Sequence, residues 1–184
     1  ISAPENCAWL LNIRGFDNPN SPIPNCQIIL SNKNIYFFSD VKKIKKIKNK
    51  INYKKIKFYE FKEFAKVVNS IKGKSFSIDK NSCSIFNKSI ISSKFNILNE
   101  VDPCYALKAI KNKTEIKNMT DAHILDGAAL TKFLYWIKNK KNFNFTEIDA
   151  EKKLEKFRKK NNNFIYPSFN TIAGTGPNGS IIHY

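Results

Sequence analysis

Residues 8–13 form a short run of bulky apolar side chains, and Arg14-Gly15 with the Pro/Asn-rich stretch to Asn25 ends it; the pattern predicts a buried strand and then a loop. Residues 26–31 and Ile35–Ser39 predict two further strands around Asn32-Lys33-Asn34, a hairpin turn. Over 41–51 the apolar residues Val41, Ile44, Ile47 and Ile51 fall three and four apart with Lys between them, which predicts an amphipathic surface helix. Residues 56–61 predict a strand, and Phe61, Phe64, Val67, Val68 and Ile71 a helix that stops at Gly73. A strand at Ser75–Ile78, a helix over 82–91 and a strand over 95–98 bring the chain to Asp102-Pro103. This alternation argues an α/β architecture with a mixed sheet.

After Pro103 the segments lengthen and become helical. Asn112 stands three residues before Glu115, a capping box with Asn in place of Ser or Thr, and a helical stripe of Ile116, Met119, His123, Leu130, Leu134 and Ile137 runs on to Lys138. A second helix starts at Thr146, with Asp149 where a capping box wants Glu and with Ile148, Leu154 and Phe157 on its buried face. Residues 164–172 and 180–184 read as strands joined by the Gly-rich 173–179. The change of texture places a domain boundary near Ala106, giving domains 1–106 and 107–184.

Composition narrows the partners. The 184 residues carry 42% hydrophobic and 13% aromatic side chains, those of a folding chain, and no apolar run approaches the ~20 residues of a membrane span, so no membrane partner is expected. The net charge of +17 raises the question of nucleic acid. Lys, however, recurs along nearly the whole chain, and Arg, the better fork for phosphate, occurs only at Arg14 and Arg158. Solvated basic faces explain the charge without nucleic acid; a basic α/β binding module for nucleic acid or acidic partners is the alternative, and it would lose binding steeply with salt. Cys7, Cys26, Cys83 and Cys104 lie far apart with no C-x-x-C pair, which predicts reduced, mostly buried thiols in a cytoplasmic protein. The first residue, Ile1, and the apolar last stretch 180–184 read as ends cut from something longer.

Candidate chemistry is sparse. Gly174-Thr175-Gly176-Pro177-Asn178-Gly179 spells G-x-G-x-x-G, yet a β-like stretch follows it where a dinucleotide site needs a helix, so the glycines are read as a tight connection. Asp121, Asp126, Glu147, Asp149, Glu151 and Glu155 lie on helices among Lys neighbours, and capping and surface ion pairs account for them. His123, on the apolar stripe, is expected to be a packed, hydrogen-bonded imidazole. His183 follows Ile181-Ile182 out of the Gly-rich turn, a placement that suits a cleft as well as a core.

Ser168-Phe169-Asn170-Thr171-Ile172, then Gly176-Pro177-Asn178-Gly179 and Ile182-His183-Tyr184, resemble the SFxTIxxxGPNGxxIHY signature of aminopeptidase P, the Xaa-Pro aminopeptidases of the pita-bread metallopeptidase family. The stretch 107–112 with Glu115, Met119, 122–124 and 126–130 is similar to the first helix of that family's catalytic domain, and Thr146-Glu147-Ile148 with Ala150, Leu154, Phe157 and Arg158 to its second. Residues 8–15 and Asp17 resemble the strand that opens the preceding domain of the three-domain branch, although Phe16 replaces a small residue there. The resemblance implies a mixed-sheet, creatinase-N-like middle domain followed by the first part of a pita-bread catalytic domain. It also implies a cytoplasmic, homodimeric parent enzyme acting on peptides with proline at the second position, with two divalent cations, usually manganese, held by two Asp, one His and two Glu. Those ligands lie downstream of the IHY block, so no metal ligand and no cofactor are expected in this chain, which should be inactive alone. His183 matches the family histidine that contacts substrate near the scissile bond and assists proton movement, while the cations activate the water. A non-catalytic scaffold descended from a peptidase is the remaining alternative.

Overall fold

The chain opens on helix α1 (Pro4–Leu11), not on the strand expected over 8–13. Pro4 supplies a preset first helical turn, Glu5 an acidic one, and Asn12 ends the helix in the left-handed region at φ 50°. Asn6, Cys7, Ala8 and Leu11 are its buried residues, the spacing of one helical face. Bulk in the run 8–13 suggested a strand, whereas the Pro and Asn at its borders decide for helix. Beyond it, the Gly15 N–H donates to the Pro22 carbonyl, and a Cβ on Gly15 would stand 2.7 Å from Pro24 Cβ.

The computed structural model describes residues 1–48, 55–140 and 144–180. In the first unit, Ile1–Ile110, β1 (Cys26–Leu30) and β2 (Ile35–Ser39) pair antiparallel from Cys26↔Ser39 to Leu30↔Ile35. Helix α2 (Val41–Ile47), capped by the Asp40 side chain on the Lys42 N–H at 2.8 Å, precedes β3 (Ile56–Tyr59), which pairs parallel with β2. The sheet is mixed, as expected. Ile51, expected to extend α2, lies outside the described residues. A 3-10 turn at Phe61–Glu63 leads into α3 (Phe64–Ser70); β4 (Ser75–Ile78), α4 (Ile85–Ser92) and β5 (Asn96–Asn99) follow, with β4 and β5 forming a separate parallel pair. Helix α5 (Pro103–Ala109) was not expected: Asp102-Pro103 reads as a break, but Asp102 caps the Cys104 N–H and Pro103 occupies the first turn.

The alternation of β1 and β2 builds two cores. Ile29 and Phe38 face Phe64, Val67, Val68, Ile78, Ile91 and Phe95, whereas Cys26, Ile28 and Phe37 face Cys7 and Leu11 of α1. Burying Phe37 and Phe38 completely stabilises the unit by roughly 1.5–3 kcal/mol per ring. All four cysteines are free, and Cys7, Cys26 and Cys104 are buried.

The second unit, Lys111–Tyr184, contains α6 (Lys113–Lys138) and α7 (Glu147–Arg158). Both expected capping boxes form, Asn112 with Glu115 and Thr146 with Asp149. Trp136 packs between Phe133 and Phe145, at 5.9 and 5.0 Å. The strand expected over 164–172 is not formed: Pro167 removes a ladder donor in its middle, and Phe164 N–H instead closes a turn on Asn161. Of the strand expected over 180–184, Ser180 ends a 3-10 turn (Gly176–Ser180), and 181–184 lie outside the described residues.

Candidate functional site

The Gly-rich segment is held by Glu147, the first residue of α7. Its Oε1 accepts the Thr175 N–H at 2.6 Å, and the Asn178 amide donates to Oε2 at 3.2 Å and Oε1 at 3.3 Å. Gly176 takes φ 54°, which a side chain resists, and a Cβ on Gly174 would meet the Asn178 carbonyl oxygen at 3.0 Å. The segment therefore makes a close turn. A phosphate loop would aim backbone N–H groups at an anion, but here a carboxylate already takes the Thr175 N–H, and a 3-10 turn stands where the nucleotide-binding helix would begin.

Helices α6 and α7 are clamped by a forked ion pair. Arg158 donates from Nε to Asp126 Oδ1 at 2.6 Å and from Nη2 to Oδ2 at 3.0 Å. Side-chain neighbours in sequence do not account for Asp126 or Glu147, contrary to the expectation of local pairs; their partners lie 32 residues away for Asp126 and 28 and 31 away for Glu147. Asp121 with Lys117 and Glu155 with Lys159 are local pairs, and Asp149 is a cap, as expected. The signal for Arg158 was visible: a guanidinium among so many lysines marks a site that wants a planar fork.

His183 lies outside the described residues, three positions beyond Ser180. His123 is exposed and holds only its own helix, with Nδ1 2.8 Å from the Met119 carbonyl. The packed imidazole expected there is thus corrected. Ile116 and Met119, on the same stripe, are themselves more than half exposed, so that face supplies no core for it.

Among the described residues no group of three or more His, Cys, Asp or Glu side chains could hold a metal ion. The carboxylates of α6 and α7 named above are engaged with Lys, Arg, caps or the Gly-rich turn, and they do not fit a dinuclear centre. The thiols fit no better. Cys7 is pushed up by its hydrogen bond with Cys26 and by burial, and Cys104 is raised to about 11 by burial and by Asp102, so each stays protonated and inert. No described helix is long and apolar enough to cross a membrane.

Residues 1–115 match the creatinase/prolidase N-terminal domain, and residues 117–184 match metallopeptidase family M24. The chain belongs to the creatinase/prolidase N-terminal domain family. Its α/β fold is that of a creatinase-like domain followed by the start of an M24 domain, as the sequence resemblance implied. It is 35% identical over 198 residues to a probable Xaa-Pro aminopeptidase P of Sordaria macrospora, a match covering 100% of this chain and 32% of the relative. Xaa-Pro aminopeptidase 1 of Dictyostelium discoideum is also 35% identical, over 192 residues that cover 100% of this chain and 30% of the relative. The chain thus spans about a third of the length of the curated relatives it matches. Among solved structures, an X-prolyl aminopeptidase of Caenorhabditis elegans, described as a cytosolic enzyme with a di-nuclear active site, superposes with a TM-score of 0.79 at 24% identity. That match covers 92% of this chain and 29% of the other, and at such identity it shows the fold.

Proposed function

We propose that the full-length protein is a metal-dependent Xaa-Pro aminopeptidase, hydrolysing the bond between an N-terminal residue and a following proline. The observation that carries this reading is the similarity at 35% identity to proteins so named, along the whole of this chain, the SFxTI and GPNG stretches included. In this reading residues 1–106 form the domain ahead of the catalytic one, and 107–184 open a pita-bread catalytic domain. The complete enzyme binds two divalent cations, manganese in the first instance, through ligands outside this chain, and works as a cytoplasmic homodimer on peptides with proline second. The nematode X-prolyl aminopeptidase, a cytosolic enzyme with a di-nuclear active site, supports the dinuclear site and the cytosolic setting.

Within this chain the role falls to His183. The Glu147-anchored turn delivers the chain at Ser180, and His183 contacts the substrate near the scissile bond and moves a proton there. The 184-residue chain itself does not turn over substrate. The test is His183→Ala in the full-length enzyme with manganese saturating and the folded fraction checked. A proton-relay role predicts a fall in kcat/KM of ~100-fold or more with metal content unchanged. Turnover equal to wild type would remove His183 from the chemistry.

A further inference from the structure

Helix α7 is seated at both ends. Phe145, just ahead of its cap, stacks at 5.0 Å on Trp136 of α6, and Arg158, its last residue, forks onto Asp126 of the same helix. The 12-residue helix between these ties is a stiff rod of about 18 Å, so they fix where its first residue, Glu147, stands. Thr146 and Asp149 complete the capping box between themselves, which leaves the Glu147 carboxylate to serve chain outside the helix. It takes hold of the Gly-rich turn at two points, the Thr175 N–H at 2.6 Å and the Asn178 amide at 3.2 and 3.3 Å. The turn also closes on itself: the Asn178 N–H donates to the Thr175 carbonyl at 3.1 Å, and Ser180 Oγ donates to the Pro177 carbonyl at 2.7 Å. Gly174 has little room for a side chain and Gly176 has φ 54°, so the backbone there has one shape, and Glu147 sets where that shape sits.

His183 follows Ser180 by three residues, and a chain advances at most about 3.6 Å per residue, so its backbone lies within about 11 Å of a point that Glu147 fixes. We infer that Glu147 is a positioning residue for His183: it holds the turn from which the histidine is presented to the peptide, and its removal slows turnover through the imidazole alone. For its substrate this assignment rests on the peptidase reading above; its geometry comes from the turn. Reach is what the position demands. Two methylenes carry the Glu147 carboxylate from the helix to the turn, and Asp would fall about 1.5 Å short. A misplacement of about 1 Å at a reacting group is enough to cost up to about a hundredfold in rate. The negative charge is a separate benefit, because the N-terminus of α7 favours it whether or not it touches the turn.

Variants of the manganese-loaded, full-length protein separate reach from charge. Glu147→Ala and Glu147→Asp should each lower kcat on an Xaa-Pro peptide about tenfold, with KM within about threefold and metal content unchanged. Glu147→Gln should stay within about threefold of wild type, since it keeps an oxygen for the Thr175 N–H and the Asn178 amide can turn over to meet its NH2 group. A carboxylate that serves only the helix N-terminus gives the reverse order, Asp intact and Gln impaired, and that result would overturn the inference. Adding Glu147→Ala to His183→Ala should slow the enzyme no further, whereas another tenfold loss would show that Glu147 acts elsewhere and would also overturn it. Amide hydrogen exchange supplies a readout that needs no turnover. In Glu147→Ala and Glu147→Asp the amides of Thr175 and of residues 181–183 should exchange about tenfold faster or more, and unchanged exchange at 181–183 would overturn the positioning role whatever the substrate. Faster exchange there, in a protein whose wild type cleaves no Xaa-Pro peptide, would instead overturn the peptidase reading and leave the positioning standing.

Discussion

Asp102 joins the two ends of the first unit, and replacing it should be among the most damaging changes there. The residue is 5% exposed; Oδ2 accepts the Asn6 amide at 2.7 Å and Oδ1 accepts the Cys104 N–H at 2.9 Å as the cap of α5. Its own N–H donates to Asp79 Oδ2 at 3.0 Å. Asp102→Ala loses the cap, worth about 1 kcal/mol, and strands the fully buried Asn6 amide without its acceptor, a further 1–3 kcal/mol or so. Relief from burying a carboxylate offsets part of this, so the expected loss is roughly 2–3 kcal/mol. Asp102→Asn keeps one oxygen and can satisfy the cap or Asn6, not both, for a loss of about 1–2 kcal/mol. Urea unfolding followed by Trp9 fluorescence in a Trp136→Phe background isolates this unit. The order wild type, Asn, Ala should appear as a falling midpoint at constant slope. An Asp102→Ala unfolding free energy within ~0.5 kcal/mol of wild type would show that the Asn6–Asp102 bond does not join the unit's ends.

Gly15→Ala puts a methyl 2.7 Å from Pro24 Cβ and also near its backbone, and should cost about 1–3 kcal/mol in the same assay; no loss would mean the loop yields freely. Asp79 is held below the usual carboxylate range by the Asp102 N–H and then the Asn81 N–H, so its contribution is complete above its unfolded pKa near ~3.9 and disappears as pH falls through the lower folded value. Stability measured from pH 6 downward should therefore fall less steeply on the acid side in Asp79→Asn than in wild type. His123→Ala should change the stability of this chain by less than ~0.5 kcal/mol, because the exposed ring holds only Met119 of its own helix; a larger loss would show packing the structure lacks. Glu147→Gln weakens a charge-assisted bond, and the Thr175 amide should then exchange roughly tenfold faster, measured residue by residue.

Much of the first unit was legible because β1, β2 and β4 are short, β-rich runs bounded by turn residues, and because Phe64, Val67 and Val68 repeat at helical spacing. What failed there was punctuation: Pro4 and Asn12 are the helix borders of α1 beneath strand-like apolar bulk, and Asp102-Pro103, with the look of a break, caps and opens α5. In the second unit the capping boxes announced α6 and α7, since the cap signal is local, whereas 164–172 has strand-like bulk and a proline that spoils it. The site was less legible than the fold. Asp126–Arg158 and Glu147–Thr175 join residues about 30 apart, and no periodicity encodes such a pairing. His183 was singled out by its motif, not by any pattern of burial.

The most direct test of the proposed activity is cleavage by the full-length protein. It should be loaded with manganese and given two peptides that differ only in proline or alanine at the second position. The account predicts release of the N-terminal residue from the proline peptide, loss of that release with a chelator, its return with added metal, and little or none from the alanine peptide. No release from the proline peptide by folded, metal-saturated protein, or equal release from both peptides, would contradict it.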